Sequence, residues 1–228
     1  METLDNPWRG RGLPEGAVSG APWPGTDAAA PKALLARCPA AAQTPLVAVP
    51  GLGCDLWIKD ERGRMGLGSF KALGAAYVIA HEAVATGAED PGRALEGRCY
   101  VTASAGNHGL SVAAGARVFG ARAVVYLART VPEGFAARLR DTGAEVVRAG
   151  EDYAASMAAA EQAAAEGQGT LLSDSSWPRY MALPHRLMEG YLAMAAEITE
   201  QAVAAFDVIA LQAGVGGMAA AWSSRWSP

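Results

Sequence analysis

"CYVTASAGNHGLSVAAGARVFGARAVVYLA", residues 99–128, decides the fold class. A short β-branched and aromatic run (99–103) opens it and a second (122–128) closes it. Residues from about 109 to 119 read as a helix that Gly120 stops. Strand, helix and strand in this order form the unit from which parallel sheets are built. The alternation continues outward in both directions, with further strands expected at 56–59, 145–149, 170–173 and 207–212. Leu73, Tyr77, Ala80 and Val84 form a helical stripe before the quoted stretch. After it, one helix has Pro132 in its first turn and Gly143 past its last, and another follows Asp152. A fifth carries Met188, Tyr191, Leu192, Ala195 and Ile198 on one face. The expected fold class is α/β, a parallel sheet covered by helices on both sides.

The bulk composition excludes several functions. With 228 residues, 51% hydrophobic and 18% charged, the chain has material for one large domain or two small ones. A net charge of −4 gives no basic face for nucleic acid. Cys38, Cys54 and Cys99 are odd in number and far apart, which argues against a disulfide framework or a zinc site and fits a reducing cytosol. Residues 1–31 are rich in Gly, Pro and Trp, read as an irregular arm, and lack the basic start and apolar stretch of an export signal. The apolar run 208–222 contains Gln212 and several glycines and is too short to span a membrane. His81, His108 and His185 have no metal-ligand spacing, so no metal is expected.

Three stretches can carry chemistry. In "SFKALGA" (69–75), Lys71 stands where a loop enters a helix, and it is one of only three lysines among 19 basic residues. The positive end of the helix and partial burial both favour a neutral, nucleophilic amine able to bond an aldehyde. The plainer alternative is a surface lysine with its stem along the helix. "TASAGNHG" (102–109) joins a strand to a helix with small residues whose N–H groups can bind a carboxylate or phosphate. It can equally be a tight turn capped by Ser104 or Asn107, with His108 on the surface. "LQAGVGGMA" (211–219) places three glycines after an expected strand, a bend able to wrap a phosphate or simply to pack closely. Together, at the C-terminal ends of strands, the three match what pyridoxal phosphate acting on an amino acid requires.

These stretches, with "IKDERGRMGLGSFKALGAAY" (58–77), "SDSSW" (173–177) and "LPHRLMEGY" (183–191), make the chain resemble fold-type II pyridoxal-phosphate enzymes. Within them it is most similar to the diaminopropionate ammonia-lyases, from about residue 44 to 219. The resemblance implies that Lys71 bonds the cofactor covalently and later moves protons. It implies that Phe70 packs near the pyridine ring and Asn107 hydrogen-bonds its phenolic oxygen. Ser104, Ala105, Gly106 and His108 would line the substrate-carboxylate loop. Gly214, Val215, Gly216, Gly217 and Met218 would hold the phosphate, and Asp174 would be the acid beside the substrate's distal amine. The implied reaction is α,β-elimination of 2,3-diaminopropionate to pyruvate and ammonia by a cytoplasmic homodimer, with neither nucleic acid nor membrane as partner.

Two departures qualify the likeness. Diaminopropionate lyases commonly carry an aspartate before Gly-Asn-His that serves as base for the D-enantiomer, and here that residue is Ala105. "SAGNH" is instead similar to serine and threonine dehydratases, which makes such a dehydratase the alternative enzyme. The family also continues well past its phosphate loop, whereas this chain ends in "AAAWSSRWSP". The expected architecture is two parallel-sheet α/β domains, the larger incomplete. Residues 32–71 with 177–228 would form the larger, cofactor-binding domain and 72–176 the smaller. An incomplete sheet leaves apolar surface uncovered, so the isolated chain is expected to be poorly stable and weakly active or inactive. A remnant that binds cofactor or partner without turnover is the alternative outside enzymology.

Overall fold

A computed structural model describes residues 24–226. At its centre lies a four-stranded, all-parallel sheet in the order β5-β4-β3-β6. The strands are β3 (Cys99–Ala103), β4 (Arg122–Leu127), β5 (Glu145–Arg148) and β6 (Thr170–Leu171). The quoted stretch supplies β3, β4 and the helix between them, α3 (Asn107–Val118). β3 is buried along its whole length, which is why it reads as an unbroken apolar run.

Alternating strand side chains divide the core in two. Tyr100, Val125 and Leu127 face α2 (Ala72–Ala85), α3 and α6 (Ala182–Gln201), meeting residues such as Leu73, Leu110 and Leu192. Cys99, Val101, Ala103 and Tyr126 face Ala160 and Ala163 of α5 (Tyr153–Ala165). The expected start and stop residues act as such. Asp152 accepts a hydrogen bond from Ala155 N at the head of α5, and Gly143 takes the left-handed conformation that ends α4 (Glu133–Thr142).

Several expectations are corrected. The arm assigned to 1–31 lies mostly outside the described residues, and within them Ala29–Leu35 is a helix, α1. Asp27 starts it by accepting a hydrogen bond from Ala29 N. Residues 56–59 form β2, but it pairs antiparallel with β1 (Leu46–Val49) in a separate ribbon. Residues 207–212 form no strand. A strand exists only through a neighbour's ladder, the described residues offer none here, and Val208 is 82% exposed. The stripe on α2 holds for Leu73 and Tyr77, but Val84 is exposed while Val78, Ile79 and Ala83 are buried. Because α2 lies between α3 and α6, its apolar surface runs around most of the helix.

Two contacts fix the lysine-bearing helix. α2 and α6 cross where Gly190 meets the main chain of α2: a Cβ there would lie 2.0 Å from Leu73 O. A Cβ on Gly74 would lie 2.8 Å from the Tyr191 ring and hydroxyl. An ionic knot then fastens the β1–β2 ribbon to α6. Arg64, only 2% exposed, donates to Glu197 at 2.6 and 2.8 Å, to Glu61 at 2.7 and 2.8 Å, and to Thr44 Oγ1 at 2.9 Å. Lys59 Nζ lies 2.7 Å from Glu197 Oε2. Cys38, Cys54 and Cys99 are separate free thiols. No described helix is long and apolar enough to cross a membrane, and the described residues contain no cluster of His, Cys, Asp or Glu able to hold a metal ion.

Candidate active site

The C-terminal ends of β3 and β6 open into a cleft of about 330 Å³. The front of α2 brings Phe70 and Lys71 to it, and the turn after β3 brings Ala103, Ser104 and Ala105. The segment beyond β6 contributes Asp174. The bend before α7 (Gly217–Trp226) contributes Gln212 and residues 214–218, and Tyr153 completes the wall.

Lys71 is the N-cap residue of α2. Its amine meets a carboxylate: Nζ lies 2.6 Å from Asp174 Oδ2 in a largely buried ion pair. Burial pushes the Asp174 carboxyl up, but the neighbouring His108, the Lys71 charge and the Lys71 hydrogen bond outweigh it and hold the group below its usual value. Nζ also lies 5.4 Å from the centre of the Phe70 ring and 5.9 Å from that of Tyr191. These two rings meet edge to face at 5.2 Å.

The glycine bend suits an anion. A Cβ on Gly214 or Gly216 would meet nothing within 4 Å, and Gly216 has φ +85°, a conformation glycine adopts at no steric cost. Gly217 opens α7, so helix N–H groups end at the cleft. Tyr191 stands between bend and lysine, 3.8 Å from where a Gly217 Cβ would be. The residues present therefore fit a ligand with an aldehyde at one end and a phosphate at the other.

The loop after β3 divides. Ser104 and Ala105 front the cleft, but the Ser104 hydroxyl already accepts hydrogen bonds from Gly106 N at 3.2 Å and Gly109 N at 3.0 Å, as the capping alternative expects. Gly106 and Asn107 lie at the start of α3 outside the cleft lining, with Asn107 exposed. His108 is not on the surface: it is 4% exposed and turned inward, with Nε2 2.8 Å from Leu172 O. A carbonyl only accepts, so Nε2 carries the hydrogen and Nδ1 the lone pair. Nδ1 has no hydrogen-bond partner among the described residues. Burial pushes the imidazole below its ordinary value, against the charge of Asp174.

Tyr191, Tyr153 and Gln212 join the site without having been singled out for it. Tyr191 ends "LPHRLMEGY", a stretch that carries the family resemblance, and the sequence otherwise marks it only as part of an apolar helix face. Its hydroxyl is buried with no partner among the described residues, and burial pushes its pKa well up. Tyr153 follows the cap of α5 and Gln212 precedes the glycines, positions with no pattern of their own.

An amine and an anion-suited glycine bend on one cleft are what a class of proteins with a phosphate-tailed aldehyde cofactor require. The chain belongs to the pyridoxal-phosphate dependent enzyme family, which it matches over residues 38–227. It is 32% identical over 186 residues to the diaminopropionate ammonia-lyase of Salmonella typhimurium, covering 74% of this chain and 46% of that one. It is 31% identical over 166 residues to the biosynthetic L-threonine dehydratase of Haemophilus influenzae, covering 73% of this chain and 29% of that one. The crystal structure of holo diaminopropionate ammonia-lyase from Escherichia coli superposes with a TM-score of 0.75 at 27% identity, covering 86% of this chain and 55% of the other. The chain thus spans about half the length of the ammonia-lyases it matches.

Proposed function

We propose that this chain carries the lysine, acid and phosphate bend of a pyridoxal-phosphate ammonia-lyase that eliminates ammonia from 2,3-diaminopropionate, the remaining enamine being hydrolysed by water to pyruvate and a second ammonia. The observation that carries this reading is that Lys71, Asp174 and the glycine bend share one cleft, and the likeness to diaminopropionate ammonia-lyases supports the substrate. When bound, the cofactor withdraws electrons from the substrate's α-carbon. Lys71 Nζ is the group that would bond it and, once free, would take the substrate's α-proton. Asp174, 2.6 Å from that amine, would hold the substrate's β-ammonium by its negative charge, and that group, already protonated, would leave as ammonia. The backbone of Gly214, Val215, Gly216, Gly217 and Met218 would hold the phosphate, and Phe70 would pack near the ring. Ser104 and Ala105 face the substrate carboxylate. Gly106 and Asn107 stand just outside, within the same loop, and His108 backs it from the core.

We read 32–71 with 177–228 as the larger, cofactor-binding domain and 72–176 as the smaller. Separate thiols suit a reducing cytosol. Exposed Val203 and Val208 would suit burial in a homodimer.

Reduction with borohydride in the presence of pyridoxal phosphate, followed by peptide mapping, is expected to label Lys71 and to leave Lys32 and Lys59 unlabelled. Label spread over all three lysines would overturn the reading. Ala105 favours a second reading, since a methyl group cannot accept a proton in place of the lyases' aspartate. Pyruvate formed faster from L-serine or L-threonine than from L-2,3-diaminopropionate would select the dehydratase.

A further inference from the structure

Asp174 sits on a segment the sheet does not hold. β6 is two residues long, and its pairing with β3 ends with Leu172 N donating to Val101 O at 2.8 Å. Beyond it the polar groups of the main chain turn to side chains. The Tyr180 hydroxyl donates to Leu171 O at 2.9 Å and accepts from Ser173 N at 2.9 Å. His108 Nε2 donates to Leu172 O at 2.8 Å. Three successive residues are therefore held by two side chains, one step before the carboxylate that meets Lys71.

Both holders are themselves fixed. His108 lies in the first turn of α3, buried in the core. Tyr180 stacks on Trp177 with ring centres 4.4 Å apart, across a turn closed by Trp177 N to Tyr180 O and Tyr180 N to Trp177 O. Arg179 takes a left-handed φ of 76° to make that turn, a conformation uncommon outside glycine. A strained turn that returns the Tyr180 hydroxyl to the backbone seven residues earlier serves one visible end, the placement of residues 171–174.

We propose that Tyr180 and His108 are positioning residues for Asp174, clamping the backbone beyond β6 so that the carboxylate meets the Lys71 amine. Misplacement by about an ångström is enough to weaken a charge-paired contact of this kind. The proposal rests on the cofactor reading only for its effect on Lys71.

The test uses the full chain and the Tyr180→Phe variant, which keeps the ring and its stacking and removes both hydrogen bonds. Amide exchange at Ser173 should rise roughly tenfold or more, with exchange across β3 and β4 unchanged. Borohydride-trapped labelling of Lys71 by pyridoxal phosphate should rise roughly fivefold, because a loosened ion pair frees the nitrogen lone pair. Asp174→Asn should give the same rise, and Tyr180→Phe added to it should give nothing more, since the hydroxyl acts through the carboxylate. His108→Leu should behave like Tyr180→Phe, and His108→Gln, whose amide can still donate to Leu172 O, should restore the parent rate. Unchanged Ser173 exchange, unchanged or lowered labelling in Tyr180→Phe, or an equal rise with and without Asp174 overturns the proposal. If Lys71 in the parent chain takes no label, the cofactor reading falls, and Ser173 exchange alone then decides the clamp.

Discussion

Two lysine–carboxylate pairs lie inside this molecule at nearly the same separation, and they are built for opposite ends. Lys59 and Glu197, 2.7 Å apart, are enclosed by Arg64, Glu61 and Thr44, and their side chains are 6% and 7% exposed. Lys71 and Asp174, 2.6 Å apart, are 22% and 15% exposed and front a cleft. In the first pair each charge has several partners and no approach for a ligand. In the second, the lysine has one charged partner and one open side. Closure makes a fastening, and an open side leaves a pair that a competing group can part.

Removing one member of the knot should have the largest effect. Arg64→Met leaves Glu61 and Glu197 without their shared partner and is expected to cost about 3–5 kcal/mol, read as a lower urea midpoint. If the loss is under about 1 kcal/mol, the knot is no fastening and the contrast fails.

Acid should next separate the two regions, because only the cleft has a buried histidine beneath it. His108 is held below the ordinary value of 6.5, so the unfolded chain takes up this proton first as pH falls. Its contribution to stability is fully present above about pH 6.5. Below that it is lost, by up to about 1.4 kcal/mol per pH unit, until the buried ring itself protonates. His108→Gln should flatten the stability profile between about pH 5 and 6.5 while Arg64→Met keeps the slope. Asp174 acts in the same direction lower down: its share is present above the ordinary carboxylate range and lost as pH falls through its lowered value.

The smallest change in stability is expected where the chemistry lies. Lys71→Met should cost about 1–2 kcal/mol, less than the knot, since the pair keeps more solvent and an apolar stem still packs on Phe70 and Tyr191. The same substitution should abolish trapping of pyridoxal phosphate. A large loss of stability would place Lys71 with Lys59 as a structural lysine.

What the sequence made legible follows from range. β3, β4, the cap at Asp152 and the stop at Gly143 depend on neighbours a few residues away, and they appear as read. β1 escaped notice although "LVAV" lies between Pro45 and Pro50, because its only partner is β2 in an antiparallel ribbon outside the main alternation. Residues 207–212 misled for the converse reason: an apolar run promises a strand, yet pairing decides it. Lys71 and the glycines could be singled out by residue type and setting, and Asp174 only through the family resemblance. His108 and Tyr180 could not be read as holders, because their contacts to Leu172, Leu171 and Ser173 exist only after folding.

The crossing of α2 and α6 has a further implication. Where two helices touch through side chains, a misfit in one can be relieved by trimming the other. At Gly190 the opposing surface is the Leu73 carbonyl, which no replacement can trim. A methyl group added there must tilt one helix, and the tilt moves the turn that carries Lys71 two residues away. The aim of the reactive nitrogen is thus bound to the absence of a side chain on a different helix, a dependence that compensating mutations cannot easily repair.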